Sequence, residues 1–382
     1  MKQDDLPLAG KTVFFLAAED WSFCSHRLPM ARAARDAGAT VIAGVRFNGN
    51  GHVEKIEAEG FKAVSIPFDR SGINPVKDWV TLLAIRKAFK EHKPDLIHNI
   101  AMKPVLYGSL AAWLTGVPAV VNAMTGLGYL FISQSLKAKI LRPVVKSLLK
   151  WLNNRDRTRL LLQNQDDQRT FIQDIEVEAS HTRIIRGSGV DINQYDVTPE
   201  PEGPIIATCV ARMLKDKGIG ELVEAARLLK KYGTDIKIRL VGPTDDNPAS
   251  FTQVELDSWA AEGIVEVTGP STDIASEYAK SHIAVLPSYR EGLPKSLLEG
   301  AACGRALIAT DVPGCREICV DGKTGILVPL KSVEPLADAL QLLAEKPEIR
   351  QRMAKEARKA VETQFADNII QRQIVQLYDA LI

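Results

Sequence analysis

The run Thr12-Val-Phe-Phe-Leu-Ala-Ala18 is apolar on both of its alternating sides. A strand with one wet face alternates apolar and polar residues. A strand with no polar side has to be covered above and below, as a parallel strand between two helical layers is. The pattern after it fits. A helix is expected over about 26–37, ending at Gly38, followed by a strand at 40–43. Further strands are expected at 63–66, 96–98, 119–122, 160–163 and 183–186, with helices at about 75–92 and 104–115. Strand and helix in alternation build βαβ units and a parallel sheet.

The alternation stops at residues 198–204, TPEPEGP, which hold three prolines and a glycine and nothing apolar. This reads as a linker. The pattern then restarts, with strands expected at 205–210, 238–241, 265–268, 283–287 and 306–309. Helices are expected near 218–231, 250–262, 273–280, 294–303 and 333–345, and the tail 348–382 reads as helical throughout. A chain of 382 residues favours two domains over one. Two doubly wound α/β domains leave a cleft, and ligands on such sheets sit beyond the carboxyl ends of the strands.

Composition narrows the function classes. The formal net charge of +1 argues against a dedicated nucleic-acid binder. Five cysteines at 24, 209, 303, 315 and 319 are odd in number and scattered, which suits reduced thiols in the cytosol. Cys315 and Cys319 have no second Cys or His pair nearby to close a zinc site. The first residues, MKQDDLPLAGK, have no apolar core of a signal peptide. Residues 104–136 carry no charge, but Gly108, Gly116, Pro118, Asn122, Gly126 and Gly128 break the run. It reads as a buried helix, a turn, a short strand and a glycine-rich loop.

Several motifs fail. Asp321-Gly-Lys-Thr324 ends like a P-loop, but Glu317 stands where its first glycine belongs. Gly126-Leu-Gly128 opens like a dinucleotide loop, but Phe131 replaces the third glycine. No Asp-x-Asp occurs to hold a divalent metal on a diphosphate.

What remains is residues 288–300, SYREGLPKSLLEG, following the strand at 283–287. Gly292 lets another group approach the backbone closely. Pro294 suits a helix start, where free N–H groups attract phosphate. Glu291 stands before that helix and Glu299 inside it, about 12 Å apart at a helical rise. Paired acids of glycoside hydrolysis sit about 5–9.5 Å apart, so these two are expected to grip different parts of one long ligand. Carboxylates accept hydrogen bonds from the hydroxyl pairs of a sugar or ribose. The plain alternative for Glu299 is a solvated helix face. A second piece, Arg212-Met-Leu-Lys-Asp-Lys217-Gly218, turns at the end of the strand at 205–210. Its two cations suit a diphosphate, although two surface cations in a turn would look the same.

Arg212…Lys217-Gly218, Glu291-Gly-Leu-Pro…Glu299 and Gly304-Arg-Ala-Leu-Ile-Ala-Thr-Asp-Val-Pro-Gly314 together resemble glycosyltransferase family 4, the large retaining family with the GT-B fold. The likeness covers most of 205–330. It implies a GT-B chain of two Rossmann-like domains facing across a cleft. Residues 1–198 would bind the acceptor and 203–364 the nucleotide sugar, with the last helix, 365–382, returning to the first domain. It implies that Arg212 and Lys217 hold the donor diphosphate and Glu299 the ribose. Glu291 would meet the sugar, beside the backbone of Gly292, Leu293 and Pro294. No cofactor and no metal are expected, a UDP-sugar being a co-substrate.

The first half departs from the common family pattern. Ala18-Glu-Asp-Trp21 stands where many members have a glycine-rich loop, and Thr125 where many have a histidine. Thr125-Gly-Leu-Gly-Tyr-Leu-Phe131 and Arg186-Gly-Ser-Gly-Val-Asp191 resemble instead the bacterial branch acting on undecaprenyl-diphosphate-linked sugars. This implies Asp20, His98, Lys103, Thr125 and Gly126 as acceptor contacts; the bland alternative for His98 is a core histidine. Independently, residues 136–159 carry eight Lys and Arg against Asp156 alone, with Leu136, Ile140, Val144, Leu148 and Trp151 at helical spacing. Such a segment suits an anionic bilayer surface; an amphipathic helix packed on its own domain would read alike. The expectation is a cytoplasmic protein on the inner face of the membrane. It would transfer a sugar from a UDP-sugar to a polyprenyl-diphosphate-linked sugar with retention, by a front-face route completed on domain closure. Rival readings are a GT-B sugar-nucleotide epimerase and a non-catalytic sugar-nucleotide-binding component.

Overall fold

A computed structural model describes residues 6–69, 74–126, 131, 136–245 and 247–382. The chain forms two compact units, Met1–Ser188 with Ile370–Ile382, and Gly189–Ile369.

In the first unit seven strands run β1 (Thr12–Ala17), β2 (Thr40–Val45), β3 (Lys62–Ser65), β4 (Leu96–Ile100), β5 (Ala119–Ala123), β6 (Thr158–Leu162) and β7 (Thr182–Ile184). Their order in the sheet is β3-β2-β1-β4-β5-β6-β7, and every pairing is parallel. The apolar run that opened the sequence divides between two cores, as a period of two requires. Val13 and Phe15 face Phe23, Met30 and the last helix, Asp367–Asp379, through Ile370, Ile374 and Tyr378. Phe14 and Leu16 face the helices Pro75–His92 and Met102–Thr115, through Leu82, Ile85, Phe89, Ala111 and Ala112.

The expected helix at 26–37 is two, Asp20–His26 and Leu28–Asp36, because Pro29 lacks the N–H needed to continue a helix and suits a first turn. The glycine-rich stretch 127–130 lies outside the described residues.

In the second unit six parallel strands run β8 (Ile205–Val210), β9 (Ile236–Val241), β10 (Val265–Gly269), β11 (Ile283–Leu286), β12 (Ala306–Thr310) and β13 (Gly325–Val328), in the order β10-β9-β8-β11-β12-β13. Strand β13 is a finding; four residues starting with glycine give too little pattern to read. The division between units falls before Gly189, ahead of the proline-rich 198–204. Residues 189–199 are tied into the second unit: Val190 bridges Ala366, the Tyr195 hydroxyl reaches Glu299, and Arg305 Nη2 donates to Thr198. The tail is not one helix. Pro347–Ala360 runs into a wide turn at Val361–Phe365, and Ala366 is extended where it pairs with Val190.

Candidate active site

In the second sheet β8 and β11 are neighbours, yet the chain leaves them toward opposite edges. A crevice opens beyond the carboxyl ends at such a switch point. Three segments meet there: 211–218 after β8, 287–294 after β11, and 311–314 after β12.

They are packed backbone to backbone. Gly218 has φ +70°, and a Cβ on it would lie 2.0 Å from the Pro287 carbonyl oxygen. Tyr289 N donates to Asp216 O at 2.8 Å, and Ser288 Oγ to the same oxygen at 3.2 Å. Thr310 Oγ1, at the end of β12, donates to Ser288 O. Gly314 has φ +80°, and a Cβ there would lie 2.5 Å from Gly292 O and 2.6 Å from Glu291 O. Both positions need a residue that adopts φ > 0 and adds no bulk.

This packing brings Lys217 Nζ onto Glu291 Oε1, an ion pair mostly withdrawn from solvent. Arg212, on the same turn, donates from Nη1 to Asp245 Oδ2 at 2.7 Å and keeps 42% of its side chain exposed. Gly292 and Leu293 are partly exposed, and Pro294 is the residue before the helix Lys295–Ala302. Glu299 is not a solvated helix face. It is 5% exposed, accepts from the Tyr195 hydroxyl at 2.8 Å, and lies 3.5 Å from Lys295 Nζ. Burial raises its pKa, while Lys295 and Tyr195 pull the other way. Glu291 and Glu299 thus have separate partners and do not form a shared acid–base pair. Tyr195 and Asp245 are site neighbours that sequence reasoning missed. Neither lies in a motif, and the Tyr195–Glu299 contact spans 104 residues.

In the first unit Asp20, Lys103, Thr125 and Gly126 follow the carboxyl ends of the neighbouring strands β1, β4 and β5, whereas His98 lies within β4. Asp20 is fully buried and accepts from Asn48 N at 2.9 Å, Asn48 Nδ2 at 2.7 Å and Trp21 N at 2.7 Å. Burial alone would raise its pKa; the hydrogen bonds from Asn48 and Trp21 outweigh that and lower it. Lys103 stands in the first turn of Met102–Thr115 and donates to Asp69 O at 2.9 Å and Asp78 Oδ1 at 3.1 Å. Thr125 is exposed and Gly126 partly so.

His98 is a correction. It is fully buried in the middle of β4, its ring stacked on Phe15 at 5.1 Å and its Nδ1 bonded to the Tyr378 hydroxyl. It is a core histidine. Strand β4 is covered on both faces, so nothing at position 98 faces solvent. Burial, and then the charge of Arg27, hold its pKa well below 6.5. The sign follows from linkage. Below 6.5 the unfolded chain takes up a proton that folded His98 refuses, so stability is lost as pH falls, by at most about 1.4 kcal/mol per pH unit. Thermal melts between pH 7.5 and 5 should give His98→Phe a lower but flatter curve than the wild type.

Two family models match the chain: one described as Glycosyl transferase 4-like over residues 12–165, the other as Glycosyl transferases group 1 over 191–360. The two matches lie end to end, and the chain is a glycosyltransferase. This glycosyltransferase is 28% identical to the N,N'-diacetylbacillosaminyl-diphospho-undecaprenol alpha-1,3-N-acetylgalactosaminyltransferase of Campylobacter jejuni, over 96% of this chain and 98% of that one. It is 25% identical to the UDP-Gal:alpha-D-GlcNAc-diphosphoundecaprenol alpha-1,3-galactosyltransferase of Escherichia coli, over 82% of each. Among solved structures, a glycosyltransferase from Rickettsia africae superposes with a TM-score of 0.78 at 18% identity, covering 97% of this chain and 98% of that one. The fold is GT-B. Among the described residues of the glycosyltransferase, no three His, Cys, Asp or Glu side chains gather as metal ligands, and no helix is long and apolar enough to cross a membrane.

Proposed function

We propose that this glycosyltransferase moves a sugar from a UDP-sugar to a polyprenyl-diphosphate-linked sugar, with retention and without a metal. The observation that carries the reading is the end-to-end likeness to a relative whose name contains a diphospho-undecaprenol sugar. The Escherichia coli relative adds the donor class in its own name, UDP-Gal.

The geometry supports a division of labour. The second unit takes the donor. Arg212 and Lys217 offset the diphosphate charge as the leaving group forms, an electrostatic role suited to a site that excludes water. The start of Lys295–Ala302, with Gly292, Leu293 and Pro294 before it, receives the phosphates. Glu299 takes the ribose hydroxyls. Glu291, its charge held by Lys217, orients the sugar and stabilises positive charge at the reacting carbon. A carboxylate so paired is a poor general base, so the donor diphosphate takes the acceptor proton in a front-face displacement. In the first unit Lys103, Thr125 and Gly126 are the acceptor contacts.

The acceptor's lipid calls for membrane contact, and the helix Leu136–Asn153 supplies a surface for it. A helix packed on its own domain hides its apolar side. This one buries Leu149, Leu152 and Asn153, yet leaves Ile140 66%, Val144 64% and Trp151 41% exposed. Arg155 lies over Trp151 at 5.1 Å, and Lys139 and Lys150 are exposed beside the apolar residues. Apolar and basic groups on one outer side suit the inner, anionic face of a membrane.

Incubating the protein with radiolabelled UDP-sugars and a short polyprenyl-diphosphate sugar is the test. Label in the lipid fraction is expected. Isomerised UDP-sugar would indicate an epimerase instead, and bound but unchanged donor a sugar-nucleotide-binding component.

A further inference from the structure

The crossovers β3 to β4, β4 to β5 and β5 to β6 all step the same way across the first sheet. Right-handed crossovers therefore lay their helices, Pro75–His92, Met102–Thr115 and Leu136–Asn153, side by side on one face. The first of these groups its polar residues Lys77, Asp78 and Thr81 on one flank of its upper half and is apolar on its inner and outer sides. Its inner side buries Leu82 and Ile85. Its outer side carries Val76, Trp79, Val80 and Leu83, spaced as i, i+3, i+4 and i+7, with Val76 74% and Trp79 61% exposed. A helix apolar on two opposite sides normally has both covered. Here the outer side is open to solvent. Trp113 and Leu114 are likewise exposed at the end of the middle helix, beside Trp151 at 5.3 Å between ring centres.

We infer that the outer side of Pro75–His92 is a second membrane-contacting surface, which seats its apolar stripe among lipid chains beside the acceptor site. Charge selects this occupant over a protein partner. Lys87 and Lys90 continue the stripe on the exposed side against Glu91, while Lys77 is paired with Asp69 at 2.9 Å and Asp78 is turned inward to Lys103, so the outer side keeps a basic excess. Lysines flanking an apolar stripe reach anionic headgroups while the stripe enters the hydrocarbon. Position agrees. The helix starts at the carboxyl edge of the sheet, and the Asp78–Lys103 contact joins its first turn to that of Met102–Thr115, where the acceptor diphosphate is placed. Exposed apolar patches of this kind mark interaction sites. The sequence hid this one, since a helix apolar on both sides shows no amphipathic period.

The inference rests on a lipid-linked acceptor, and the test separates the two. The full chain and Trp79→Ser/Leu83→Ser are floated with vesicles of phosphatidylcholine containing about one third phosphatidylglycerol. Both residues are exposed, so the variant should melt as the wild type does and keep its rate on a water-soluble short-chain acceptor. Vesicle partitioning is expected to fall at least tenfold, with a matching rise in KM for a long-chain acceptor. Unchanged partitioning overturns the inference. So does a wild-type dimer that the variant dissolves while vesicle binding persists, since the stripe would then be a self-interface. Loss of partitioning in a protein that transfers to no lipid acceptor would uphold the surface and sink the acceptor reading.

Discussion

Lys217→Ala is expected to lower kcat/KM by about 10²–10³-fold, the scale seen when one preorganised charge-stabilising group is removed from an active site. Two losses combine. On the proposed reading the leaving diphosphate loses a cation, and Glu291 loses the partner that fixes its carboxylate. Glu291→Gln keeps the shape and removes the charge; it should depress kcat far more than it raises donor KM, because its role is at the transition state. Groups acting as one unit are not additive. The double variant should therefore be little worse than Lys217→Ala alone. Arg212→Ala should behave differently, raising donor KM as well as lowering kcat, since Arg212 pairs with Asp245 and not with Glu291. Additive losses at 217 and 291, measured by steady-state kinetics, would show that the two groups act independently and not as one unit.

Gly314→Val should be nearly as damaging without touching any charged group. The added Cβ would meet the carbonyl oxygens of Gly292 and Glu291 at 2.5 and 2.6 Å, and backbone does not yield as a side-chain end does. With φ +80° and ψ −45°, the backbone at 314 is also one that a residue with a Cβ rarely adopts, at a further cost of roughly 1–3 kcal/mol. Displacing the segment that carries Glu291 by about 1 Å is enough for a loss of roughly 10²-fold if that segment meets the sugar as proposed. Gly322→Ala is the matched control. It has φ +70° but nothing within 4 Å of the added atom, so it should lose a little melting temperature and almost no activity. Equal activity losses in the two variants would mean that backbone strain, not the contact with Glu291 and Gly292, is responsible.

The proposed donor residues were legible as a group because they lie in short segments at strand ends: Arg212 and Lys217 on one turn, Glu291 to Glu299 on another. Local order fixes such groups, and the sheet topology brings them together. What was not legible depends on long-range packing. Tyr195 reaches Glu299 across 104 residues, and no local pattern encodes that. His98 carries the right chemistry for a site, but whether a strand residue faces a crevice or a core depends on what covers it. Here Phe15 and Tyr378 do. The apolar residues of Leu136–Asn153 and Pro75–His92 were visible, but periodicity cannot say which side is left open. The two helices at 20–36, with Arg27 between them, show the same limit on a smaller scale.

The most direct test of the central claim is the anomeric configuration of the product. Wild-type protein is incubated with a UDP-sugar that it accepts and a short polyprenyl-diphosphate sugar, and the new linkage is read by NMR from its one-bond C1–H1 coupling. The account predicts a product with the α configuration of the donor, formed in the presence of EDTA and lost in Glu291→Gln. A β-linked product, or an undiminished rate in Glu291→Gln, would contradict it.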